Sequence, residues 1–217
     1  MMVAPKKTPD KILPSPQIEA LALRCQAHVK NRLGLELDFQ NETLSLLDHF
    51  IVDLAREEGE GTVPPPGDPR RAQLIHLLAP TIGAYFGEVI CRLYPCRWRC
   101  ASDNPRDWLL EFEHVPLRFN PVGAAAEALV EQYVEESWNS SISTAPEEME
   151  ALGERLAAAP PVPENEFFAL TTRFEVLQIA QEWLRARQLH SSGTSPKYFT
   201  SKDYDRIFGK PLKKTNS

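Results

Sequence analysis

Three of the four cysteines, Cys91, Cys96 and Cys100, fall in a ten-residue stretch, and closely spaced thiolates are the commonest soft-metal ligands. Their separations leave four and then three intervening residues. Neither spacing is the CxxC knuckle that usually supplies a pair to zinc or an iron–sulfur cluster, and a fourth ligand would have to come from His76, His114 or an acid. Cys96 and Cys100 also alternate with Arg97 and Arg99, as inward-facing small hydrophobes do on a half-buried strand. The pattern predicts core packing and no metal. His28, His49, His76, His114 and His190 form neither HExxH nor an i, i+4 pair, and no serine sits in GxSxG. Gly83-x-x-x-Gly87 lacks the Lys-Ser/Thr of a phosphate loop. No cofactor is expected.

Two groups of residues remain. Glu88 follows Gly87 in an apolar helical stretch. If buried, its carboxyl rises in pKa and needs a partner, with Arg92 one turn on as the obvious one. Gly83 and Gly87 share a helical face and leave a shallow groove, so a neighbouring element or a ligand must pack close to it. Arg173, near an apolar stripe, is the second charged residue to watch. Gly83, Gly87, Glu88 and Arg173 together are a candidate cleft. The other group is Tyr198, Phe199, Tyr204, Ile207 and Phe208, interleaved with charge in the C-terminal tail. Disordered tails are poor in aromatics, so this segment either docks on its own body or is a linear motif for a partner. The five are candidate partner-binding residues.

The elements that must position these residues are mostly helical. Ser15-Pro16, Asp68-Pro69 and Asn120-Pro121 each read as an N-cap followed by proline at the first helical position. Ile18, Leu21, Cys25 and Val29 predict a helix over 16–33 closed by Gly34. Leu35, Leu37 and Phe39 suggest a short strand or an extended connection, before a helix capped by Asn41 that buries Leu44, Leu47, Ile51 and Leu54. A third helix starts at Pro69 and is expected to kink or break at Pro80, then resume to Leu93. Alternation around Trp98 and from Trp108 to His114, across the turn Ser102-Asp103-Asn104-Pro105, predicts a β-hairpin with Val115, Leu117 and Phe119 prolonging it. Arg97 and Arg99 are expected to face Glu111 and Glu113 as exposed pairs, and Trp98 and Trp108 to pack together. Further helices are expected over 121–138, burying Tyr133 and Val134, over 146–158, and over 164–189, with Phe167 on its buried stripe.

The fold class is therefore α+β, about six helices on a two- or three-stranded antiparallel sheet. A disordered arm (1–14), one globular domain (15–190) and a basic, aromatic-containing tail (191–217) are expected. Residues 1–13 carry +2 and 191–217 carry +4, which leaves −12 on the body out of a net −6. An acidic body is a poor nucleic-acid footprint and suits a partner with a basic surface. No stretch reads as a membrane span or secretory signal, so a cytoplasmic location with reduced thiols is expected.

The run Pro80-Thr81-Ile82-Gly83-Ala84-Tyr85-Phe86-Gly87-Glu88-Val89-Ile90, then Arg97-Trp98-Arg99 and Phe119-Asn120-Pro121, resembles a pattern in uncharacterised bacterial α+β domain families, in which a "GAxxGEV" helix leads into a small sheet and another helix. The resemblance spans about residues 80–130 and implies no catalytic residue. The function expected from all this is a non-enzymatic protein-interaction module, such as an adaptor, an assembly subunit or an immunity-like binder. The alternative is a small-ligand-binding protein or enzyme using the cleft near Gly83, Gly87 and Glu88.

Overall fold

Asp68 accepts the Arg70 backbone N–H and Pro69 fills the first helical position, which starts the longest helix among the described residues, α3 (Pro69–Leu93). The computed structural model describes residues 16–57, 68–134, 138, 140–192 and 197–209. The expected arm (1–14), Ser15 and the end of the tail (210–217) lie outside them. Before α3 come α1 (Pro16–Leu33) and α2 (Leu44–Glu57); after it come α4 (Pro121–Val130), α5 (Pro146–Ala157), α6 (Leu170–Ser192) and α7 (Ser201–Phe208). Three antiparallel strands, β1 (Cys96–Cys100), β2 (Trp108–Phe112) and β3 (Arg118–Phe119), stand in the order β1-β2-β3 between α3 and α4. The fold is α+β and mostly helical.

The helix α3 is the centre. Among the described residues it is the one helix long and apolar enough to cross a membrane, and 72% of that apolar window is buried inside the fold. It is apolar nearly all round because α1 packs on one side, α4 on another and the sheet on a third. Of the expected kink or break at Pro80, the break does not occur: Ala79, Thr81 and Ile82 on either side are buried, so tertiary packing holds the turn that proline weakens. Leu35 to Phe39 is a connection and not a strand. Phe39 takes a left-handed φ of 64°, held by its N–H donating to the Tyr85 hydroxyl (2.8 Å) and its ring stacked on Tyr85 (4.7 Å).

The strand register gives the sheet two chemically different faces. Trp98, Leu110 and Phe119 align on the side of α3 and α4, where Phe119 meets Phe86 edge-on at 6.0 Å. Arg97, Glu111 and Arg118 align on the other. The two tryptophans do not stack on each other. Trp98 lies over Gly87, and the fully buried Trp108 donates its indole N–H to Ser102 O (2.9 Å).

Four boundaries differ from expectation. The helix α2 begins at Leu44, after a 3₁₀ turn over Asn41–Thr43 with no side-chain cap, and not at an Asn41 cap. The helix α4 ends at Val130, where Glu131 turns into a left-handed conformation (φ 47°), instead of running to Trp138. The helix α6 begins at Leu170, after a 3₁₀ turn over Glu164–Glu166, because Asp48 of α2 accepts the N–H groups of Leu170 (2.7 Å) and Thr171 (3.1 Å) and so caps it from across the molecule. Finally, the expected domain boundary at 190 falls inside α6, and residues 197–209 return to the sheet.

Candidate functional site

The candidate cleft is filled from within. A Cβ on Gly83 would lie 2.5 Å from the Val122 Cα at the start of α4, and one on Gly87 would lie 2.1 Å from the Trp98 ring. The two glycines let a helix and an indole sit directly on the α3 backbone. Glu88 is buried and accepts the Trp98 indole N–H at 2.8 Å. Burial pushes its carboxyl above the usual range, with the Trp98 hydrogen bond and Arg92 opposing. Arg92 itself lies over the Phe39 ring at 3.7 Å. Arg173 is bound elsewhere, to Glu127 of α4 at 2.9 Å. Glu88 and Arg173 thus have separate partners and are not brought together.

The tail residues are held by the chain itself. Phe199 N–H donates to Glu113 O (2.7 Å), and Arg97 donates to Phe199 O (2.8 Å) and to the Ser201 hydroxyl (3.1 Å). Thr200 and Asp203 form a capping box that starts α7. Tyr204 is fully buried, its hydroxyl 2.7–3.0 Å from the carbonyls of Phe112, Val115 and Leu117. Its ring stacks on Phe208, which in turn lies under Arg118 (3.8 Å). Ile207 is half-buried, and Tyr198 stays 45% exposed beside His114. Beneath α7, Glu111 is fully buried and accepts from both Arg97 and Arg99 at 3.0 Å, while Arg99 also pairs with Asp205 of α7. The expected Arg–Glu pairs form, but they are buried under the returning helix and not exposed.

The feature no sequence signal announced is a ridge of three aromatic rings. Tyr133, Phe167 and Phe168 meet edge-on, with centroids 5.0 to 6.0 Å apart. Tyr133 is 68% exposed and Phe167 38%, the reverse of the buried positions that helical spacing assigned them. The cause is in the two shifted boundaries: α4 stops before Tyr133 and α6 starts after Phe168, so these rings lie on connections. The ridge is anchored from below. Glu127, buried in α4, accepts from Ser140 and from Arg173, whose guanidinium lies 5.2 and 5.5 Å from the Phe167 and Phe168 centroids. Burial raises the Glu127 carboxyl, against the pull of Ser140 and Arg173.

No known family, curated protein or solved structure matches this chain. The site therefore rests on its own geometry.

Exposed acids neighbour the ridge along the chain, and basic side chains line its other flank. Glu131, Glu164 and Glu166 are exposed and lie within three residues of a ridge ring in the chain, and Val162 (39% exposed) adds apolar surface. On its other flank Tyr133 walls a cleft of about 480 Å³ with Trp138, His76, Arg106 and Arg71. Arg106 lies over the Trp138 ring at 4.5 Å, 3.2 Å from the His76 Nε2, and Arg71 donates to Gln132 at 3.1 Å. Among the described residues no group of three or more His, Cys, Asp or Glu side chains could hold a metal.

Proposed function

We propose that this chain is a protein-interaction module that binds a basic, partly apolar segment of another protein along the ridge of Tyr133, Phe167 and Phe168. The observation that carries this is the exposure of Tyr133 and Phe167 in a pre-formed edge-to-face cluster. Exposed aromatics in fixed geometry lose little conformational freedom on binding, and tyrosine is enriched among residues that dominate interface energy. Lys or Arg side chains lay their stems on such rings and reach flanking carboxylates with their heads. Glu131, Glu164 and Glu166 supply those carboxylates, in keeping with the acidic body. The docked tail is scaffold on this reading, and the sheet it covers is not the contact face.

The test is fluorescence anisotropy with a synthetic peptide of alternating Arg and Leu, at low and physiological salt. Tyr133→Ala with Phe167→Ala is expected to weaken binding at least tenfold, about 1.4 kcal/mol. Glu164→Lys with Glu166→Lys is expected to weaken it and flatten its salt dependence. Peptide binding that neither pair alters, or no binding by the wild-type chain, contradicts the proposal.

A further inference from the structure

The C-terminal end of α3 brings Cys91 face to face with Cys96 at the start of β1. The two Sγ atoms are 2.9 Å apart, with the Cys96 S–H donating toward Cys91. The turn between them is pinned at both ends. Tyr94 N–H closes the helix on Ile90 O (2.8 Å), and Glu113 N–H holds Pro95 O (2.8 Å). The Tyr94 ring packs between Phe112 and Phe174, with centroids 5.9 and 6.5 Å away. Fixed backbone, not a flexible loop, sets the sulfur pair. A disulfide needs about 2.05 Å, so the sulfurs must close by roughly 0.9 Å, which small rotations of the two side chains supply. Both cysteines are half-buried, whereas Cys25 is sealed in the core and Cys100 is exposed at the far end of β1.

We propose that Cys91 and Cys96 form an oxidative modification site, a dithiol that closes to an intramolecular disulfide in the folded protein. The oxidant is a low-molecular-weight disulfide. The Cys91 thiolate attacks one of its sulfurs, and the thiolate that leaves takes up the proton Cys91 gave up. Cys96 then loses its proton and attacks the Cys91 sulfur of the mixed disulfide, releasing the second small thiol. Two protein S–H bonds are replaced by one S–S bond, and the oxidant is reduced to two thiols. Burial, first, and then the contact with Cys91 and the nearby Glu88 and Glu113 carboxylates keep Cys96 protonated well above the usual thiol range. The Cys96 S–H donates toward the Cys91 sulfur, and this geometry makes Cys91 the first attacker and Cys96 the resolving thiol. The bond would tie the central helix to the strand that carries Arg97 and Trp98, locking the joint between them.

The experiment uses the full chain carrying Cys100→Ser, which removes the exposed thiol, and excess oxidised glutathione under native conditions. After quenching, unfolding, maleimide labelling and trypsin, the peptide 72–92 is expected joined to 93–97, because Arg92 lies between the two cysteines. Maleimide labels fall from three to one, and reduction restores them. With Cys96→Ser added, the linked peptide disappears and a glutathione adduct remains on Cys91. Three labels persisting after oxidation, a link through Cys25, or a stable glutathione adduct on Cys91 while Cys96 is intact would each overturn the proposal.

Discussion

Tyr204→Phe removes one oxygen from the place where the tail meets the sheet. The hydroxyl has one proton for three carbonyls, those of Phe112 (2.8 Å), Val115 (3.0 Å) and Leu117 (2.7 Å). Two of these have other donors, Leu117 N–H for Val115 O and Phe112 N–H for Leu117 O. The substitution therefore costs about one buried hydrogen bond with its desolvation, ~1–3 kcal/mol, and leaves the stack on Phe208 in place. Tyr204→Ala also removes a fully buried ring and costs ~3–5 kcal/mol. An eight-residue helix has little stability of its own, so α7 should then leave the sheet. Urea unfolding followed by tryptophan fluorescence reads both. The Phe variant is expected to lower the midpoint with an unchanged slope, and to lower Tm by about 2–12 °C for a chain of this size. A loss under about 0.5 kcal/mol, the range of surface substitutions, would refute the claim that the tail is held through this hydroxyl.

The glycines give a test with opposite signs. Gly83→Ala drives a Cβ into the α4 backbone, which cannot give way, and should cost more than Gly87→Ala, where the Trp98 ring can shift at ~1–3 kcal/mol. Gly153→Ala in α5, with nothing within 4 Å, should stabilise by about 0.5–1 kcal/mol; thermal melts that rank the three otherwise would contradict the packing described. Glu88→Gln probes pH. Because burial holds the folded carboxyl above its ordinary value of 4.5, the stability it contributes is present below that pH and is lost as pH rises through the folded value. The variant cannot ionise, so its stability relative to wild type should rise between pH 4.5 and 7. Equal differences at both pH values in urea melts would show that Glu88 is not buried as an acid.

Local signals carried the helices that begin with a cap and a proline, since Asp68 and Asn120 bond their own first turns within three residues. Alternation likewise put Arg97, Arg99 and Glu111 on one face of the sheet, though not the register that sets Arg97 opposite Glu111 and Arg99 opposite Leu109. What was not legible depends on distant partners. The start of α6 is set by Asp48, 122 residues away, and nothing near Leu170 signals it. The end of α4 falls at Glu131, a residue that pays a steric cost in the left-handed region and carries no Gly or Pro warning. Those two boundaries decide whether Tyr133 and Phe167 are core or surface, so helical periodicity placed the ridge inside. The tail was ambiguous for a related reason: its aromatic pattern is the same whether α7 covers this sheet or another protein's. The cleft at Gly83 and Gly87 was located by its glycines, but only the approach of Val122 and Trp98 shows what fills it.

The most direct test of the proposed contact surface is hydrogen–deuterium exchange on the full chain, with and without a saturating basic, leucine-bearing peptide. Slowed exchange is expected over 131–134 and 164–169, with α7 and the sheet unchanged. Protection confined to 198–208 or to the sheet, with the ridge exchanging as in the free chain, would contradict the account.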